Sequence, residues 1–153
     1  MTYVLAVMAG INVGFCYGDE PLPDADTYLM PSVTGHWVMP GERYVELRER
    51  VRNGATLYIS NSNAILSEFN ELAGVKVVDS SMLSERSEML LGDERIAFSR
   101  NKKYDLSPRS SRVIAVEKNG EPVLTENDYG SGKVIYLNFP LEEMDARDGC
   151  VAT

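Results

Sequence analysis

A chain of 153 residues fits one domain and is long enough to bury a core. Its 44% hydrophobic and 25% charged residues are ordinary for a globular protein. Its net charge of -8 excludes a general binder of nucleic acid or anionic membrane, which needs clustered Lys and Arg.

Met1-Thr2-Tyr3 supplies no positive n-region for a signal peptide, and no apolar run approaches the ~20 residues of a membrane helix. Two distant cysteines, Cys16 and Cys150, make no disulfide framework and suit a reducing compartment, so a cytoplasmic location is expected.

Tyr3 to Ala9 reads as the last turns of a helix closed by Gly10, and Ile11 to Tyr17 as a short strand. Gly18 to Asp24 is turn-rich, and Thr27 to Met30 is a second short strand stopped by Pro31. The clearest helix runs from Glu42 to Asn53, with Tyr44, Leu47 and Val51 on its apolar face. Thr56 to Ser60 is β-rich and reads as the central strand. A second helix is expected over about Ala64 to Leu72, closed by Gly74, with a strand at Val75 to Val78. This alternation predicts a layered α/β sheet, parallel in its first half.

Beyond Ser80, Arg95 to Phe98, Val113 to Glu117, Pro122 to Thr125 and Val134 to Asn138 are strand-like, with no strong helix between them. Asn119-Gly120 is a hairpin signal, and Tyr129-Gly-Ser-Gly-Lys133 is a glycine-rich turn into a strand. The C-terminal half is therefore expected to be β-rich and antiparallel. Residues 1–153 are read as a single domain, with 145–153 a poorly structured tail. A layered α/β fold opens on a strand, whereas this chain opens on a helix. The expectation is a piece of a longer protein lacking its first strand, which a neighbouring chain could supply.

Pro21 to Pro31 resembles the strand and loop that open the second α/β unit of class I glutamine amidotransferase-like domains. Glu46 to Leu57 is similar to their helix-to-strand passage, and Tyr129 to Tyr136 to their late turn and strand. The order of these segments most resembles the β-galactosidase trimerisation-type domain of multidomain glycoside hydrolases. The resemblance implies a flavodoxin-like, amidotransferase-like layered sheet. It also implies a non-catalytic neighbour of a (β/α)8 barrel that hydrolyses β-linked sugars. The implied partners are other subunits, the catalytic barrel of the parent protein and carbohydrate.

In the amidotransferase fold the nucleophile sits on the turn after the central strand, here Ile59-Ser60-Asn61-Ser62-Asn63. That turn has no cysteine and no glycine, and the late region around Leu137-Asn-Phe-Pro140 has no histidine to serve as base. Asn and Ser are good helix caps, so a capping turn is expected and no catalytic residue is assigned. Cys16, between Phe15 and Tyr17, reads as a small buried hydrophobe. Asp19, Glu20, Asp24 and Asp26 do not match a calcium loop and read as a solvated acidic stretch, so neither metal nor cofactor is expected. The loop from Ser32 to Pro40 is the expected contact surface. Ser32, His36, Trp37 and Asn61 are the binding or interface candidates, Trp37 because an exposed indole stacks on sugars or anchors interfaces. Two rival readings stay open: a small hydrolase or amidotransferase using Cys16 or Ser60 with His36, and a sensor with a pocket beside Ser32, His36 and Asn61.

Overall fold

The computed structural model describes residues 2–34 and 39–143. After α1 (Thr2–Met8), the chain forms β1 (Thr27–Val33), α2 (Gly41–Arg52), β2 (Thr56–Asn61) and α3 (Phe69–Ala73). It continues through β3 (Val75–Leu91), β4 (Glu94–Pro108), β5 (Arg112–Glu117), β6 (Pro122–Tyr129) and β7 (Gly132–Leu137). The seven strands join one sheet in the order β1-β2-β7-β6-β5-β3-β4. The ladders β1–β2 and β2–β7 are parallel and all the others antiparallel. This is the mixed α/β sheet that the alternation of elements predicts.

The two halves have separate cores. In the parallel half, Tyr44, Leu47 and Val51 of α2 and Phe69, Leu72 and Ala73 of α3 pack on Tyr28, Met30, Leu57, Ile59, Val134 and Tyr136. Helix and strand periodicities bring these residues to one sheet face, as expected for α2 from its sequence. In the antiparallel half, Phe98 stacks on Phe139 at 4.0 Å between ring centroids, with Met89, Ala115, Val123 and Leu137 around them.

The glycines of Tyr129-Gly-Ser-Gly132 serve contact as well as turning. A Cβ at Gly132 would lie 2.0 Å from the Val51 carbonyl oxygen and 2.2 Å from that of Ala55. The turn is pressed against the C-terminal end of α2, where the Ser131 N–H donates to the Arg52 carbonyl at 2.8 Å.

Several expectations need correction. Ile11 to Tyr17 forms no strand and is not part of the seven-stranded sheet. Cys16 is exposed, its thiol resting against the backbone carbonyls of Tyr17 and Pro21. Pro31 does not stop β1: the strand is at the sheet edge, and the register slips between Met30 and Val33, which absorbs the missing N–H. The second helix, expected over about Ala64 to Leu72, forms only as Phe69–Ala73; it lacks a side-chain cap, and Glu68 before it holds a left-handed φ of 53°. The largest departure is the β3–β4 hairpin, whose strands run far beyond Val78 and Phe98. Its polar, exposed stretch Asp79 to Glu88 gives no apolar alternation to read, yet Gly92-Asp93 closes it as a two-residue turn.

Candidate functional site

The three parallel strands end side by side, the place where layered α/β folds put their ligands. Ser32 and Val33 close β1, Ser60 and Asn61 close β2, and Asn138 to Glu142 follow β7. Two polar networks fill this edge.

The first is centred on Glu142, which is 7% exposed. Ser60, fully buried, donates from Oγ to Glu142 Oε2 at 2.5 Å and accepts the Ser32 N–H at 2.6 Å. Ser32 Oγ donates to the same carboxylate oxygen at 2.9 Å, and the Tyr58 hydroxyl donates to Oε1 at 2.9 Å. A buried carboxylate is costly unless hydrogen-bonded, and three hydroxyl donors meet that need here. Burial, reinforced by the neighbouring Glu142 charge, pushes the Tyr58 phenol far above its ordinary range, so it remains a donor.

Ser32 holds a left-handed φ of 49°, a strained conformation for a residue with a side chain. Three bonds pin it: its own N–H to Ser60, and the N–H groups of Ser62 and Asn63 to the carbonyl of its neighbour Val33. The cluster ties the ends of β1 and β2 to the segment that follows β7.

The second network runs deeper. Asn61 Nδ2 donates to the Tyr136 hydroxyl at 3.0 Å, which donates to Asn138 Oδ1 at 3.1 Å. Asn138 Nδ2 in turn donates to the Tyr104 carbonyl at 2.7 Å, linking the parallel half to β4. Burial drives the Tyr136 phenol well above its usual range. Asn61 is 3% exposed, and its Oδ1 has no partner.

Chemically, Ser60 sits at the turn where the sequence resemblance implies a nucleophile, and it has a carboxylate at hydrogen-bond distance. It is sealed from solvent, however, and its hydroxyl is committed at both ends. As it stands, the arrangement holds strand ends together and offers nothing for a substrate to reach. The expected capping turn is thus corrected: Ser60 belongs to β2, and its side chain joins strands instead of capping a helix.

Of the four predicted site residues, Ser32 and Asn61 are brought to this edge, in adjacent networks. His36 and Trp37 lie outside the described residues, as does the tail 145–153. A Cys16 or Ser60 pairing with His36 lies outside them for the same reason. Sequence reasoning missed Tyr58, Tyr136, Asn138 and Glu142. Glu142 carried a usable signal, being the acidic residue just beyond the late segment searched for a base. Among the described residues, no cluster of three His, Cys, Asp or Glu side chains is placed to hold a metal, and no helix is long and apolar enough to cross a membrane.

A second polar cluster lies in the antiparallel half. Arg100, its side chain fully buried, donates to Glu117 at 2.5 Å and to Glu85 at 3.2 Å. Ser87 Oγ donates to the other oxygen of Glu117 at 2.9 Å. Beside it is a small cleft lined by Lys103, Asp105, Glu121 and Asn138 among others. Lys103 is already paired with Glu121 and Asp105, so the cleft presents no free cation to an anionic ligand.

No protein-family model and no curated protein matches the sequence. Solved structures match the fold. The exo-β-1,4-mannosidase Op5Man5 of Opitutaceae bacterium strain TAV5 aligns with 94% of this chain at a TM-score of 0.78 and 18% identity. The cold-adapted β-galactosidase of Rahnella sp. R3 aligns with 89% at 0.67 and 17% identity. The fold is one found within glycoside hydrolase chains. This chain spans 26% and 23% of those two chains, respectively. A thua-like protein of Parabacteroides merdae also shares the architecture, with 88% of this chain aligned over 70% of its own length at a TM-score of 0.55 and 15% identity.

Proposed function

We propose that this chain is a non-catalytic accessory domain of a β-galactosidase-like glycoside hydrolase, acting through packing against a catalytic domain or other subunits. The observation that carries the reading is the state of Ser60. At the position where an amidotransferase-like domain keeps its nucleophile, the hydroxyl is buried and locked between the Ser32 N–H and Glu142. Nucleophilic catalysis needs a reachable group with a base beside it, and only the second condition is met. Support also comes from the glycoside hydrolase chains, of which this fold makes up about a quarter.

The amidotransferase-like ancestry, the oligomerisation role and a cytoplasmic location belong to the same proposal. Size-exclusion chromatography with light scattering on the isolated chain tests the contact role. A mass above that of the monomer, rising with concentration, is expected. A strict monomer at high concentration counts against oligomerisation. Assays with nitrophenyl β-galactoside, nitrophenyl β-mannoside and glutamine are expected to show no turnover, and hydrolysis abolished by Ser60→Ala would overturn the reading.

A further inference from the structure

Ser32, Tyr58 and Ser60 aim three hydroxyls at one place, and what they hold there is a carboxylate. Ser32 and Ser60 donate to one oxygen of Glu142, and Tyr58 donates to the other. All three donors belong to β1 and β2, whereas the acceptor comes from beyond β7. The sheet sets the donors in place. Tyr58 and Ser60 are two residues apart on β2 and share a face. The register, with Met30 opposite Ile59 and Val33 opposite Asn61, brings Ser32 level with Ser60. Ser32 joins them with its left-handed φ of 49°, and backbone strain of that kind gathers at ligand clamps.

The acceptor is attached in a different way. Among the described residues, the last backbone N–H of this segment to reach the sheet is that of Asn138, which donates to the Val123 carbonyl at 2.9 Å. Beyond it the backbone bonds close on themselves, from the Leu141 N–H to the Phe139 carbonyl and from the Glu143 N–H to the Pro140 carbonyl. Phe139, wholly buried and stacked on Phe98, fixes the start of this turn, and Leu141 is only partly buried. Withdrawing Glu142 therefore breaks no ladder bond. It swings a turn about Phe139 and bares three donors. A carboxylate from solution restores the same three hydrogen bonds, so the exchange is governed by the advantage of tethering. For a short flexible link that advantage is an effective concentration of roughly millimolar order.

We propose that Ser32, Tyr58 and Ser60 form a binding site for a small monocarboxylate, which Glu142 occupies in cis when no such ligand is present. Glu142 is then an internal ligand, and a carboxylate in solution competes with it and releases the turn from Pro140 to Glu143. The donors select a carboxylate over a halide because they address two oxygens at once, one by the two serines and the other by the tyrosine. No group is transferred. Ser60 stays a donor to whichever carboxylate is bound, so it gains no base and no nucleophilic role in the exchange. The site is independent of the accessory-domain reading.

Acetate titrated into the whole chain at neutral pH, against chloride at matched ionic strength, tests it. The amide resonances of Ser32 and Ser60 should shift saturably with acetate. Amide exchange across Leu141 to Glu143 should quicken as the turn is released. Glu142→Gly removes the internal competitor and should bind acetate about tenfold or more tightly than the parent. Acetate should also raise the unfolding temperature of that variant, as a ligand of the folded state does. Adding Ser60→Ala should abolish both effects. Four results would overturn the proposal: no saturable response of the parent, even where Glu142→Gly binds; an equal response to chloride; acetate binding that leaves exchange at Leu141 to Glu143 unchanged; or a folded Glu142→Gly that binds no more tightly than the parent. If Glu142→Gly does not fold, the parent titration alone decides.

Discussion

Ser60 and Glu142 are 82 residues apart in sequence and 2.5 Å apart between Oγ and Oε2. This bond is the shortest link between the carboxyl end of β2 and the segment beyond β7, and it shares its serine with the strained turn at Ser32. Removing the hydroxyl should therefore cost more than one hydrogen bond. Ser60→Ala strands the Ser32 N–H and takes one donor from a buried carboxylate, a loss of about 1–3 kcal/mol. Urea titration reads this as a lower midpoint at unchanged slope. A variant as stable as the parent would show that the cluster contributes nothing to the fold.

The turn at Gly130 to Gly132 gives a sharper steric test. Gly132→Ala places a methyl about 2 Å from two carbonyl oxygens of the α2 terminus, and backbone on both sides cannot swing away as a side chain would. We expect a loss of about 3 kcal/mol, the upper range for overpacking. Gly14→Ala meets nothing within 4 Å and should change stability by less than about 0.5 kcal/mol. Thermal unfolding of the pair separates close approach from a general cost of losing glycine.

How far the sequence foretold this depends on which residues carry periodic burial. Helix α2 was legible because Tyr44, Leu47 and Val51 recur at helical spacing and all three are buried. The hairpin at Asn119-Gly120 was legible because Gly120 holds the φ of 87° that such turns demand. β3 was not, since its long exposed stretch from Val78 to Ser84 is held by its partner strand and presents no apolar face. At the site, Ser32 and Asn61 could be named from their place after predicted strands. Glu142 could not be joined to them, because nothing local in the sequence announces a contact across 110 residues from Ser32.

The Arg100–Glu117 pair makes a third case. Both side chains are sealed from solvent, so neutralising one leaves the other buried and charged. Arg100→Met alone should cost about 3–5 kcal/mol, whereas Arg100→Met with Glu117→Leu should recover most of it, as apolar replacements of buried pairs do. A double-mutant cycle by urea unfolding measures the coupling. Additive losses would mean that the pair is weaker than its geometry indicates.

The tyrosines set the alkaline limit of the fold. Burial raises the phenol of Tyr44 to about 12, and those of Tyr58 and Tyr136 further. Each keeps its proton in the fold at a pH where the unfolded chain has lost it. The stability they contribute is therefore whole below about pH 10 and drains away as pH rises through the folded values. Of the eight tyrosines, these three should ionise late and together with unfolding, visible as a cooperative second phase in tyrosinate absorbance. Tyr58→Phe removes one of the three and a donor to Glu142, so the second phase should shrink while stability at neutral pH falls by about 1 kcal/mol. A single smooth titration of all eight, with no phase tied to loss of circular dichroism, would show that these phenols are open to solvent.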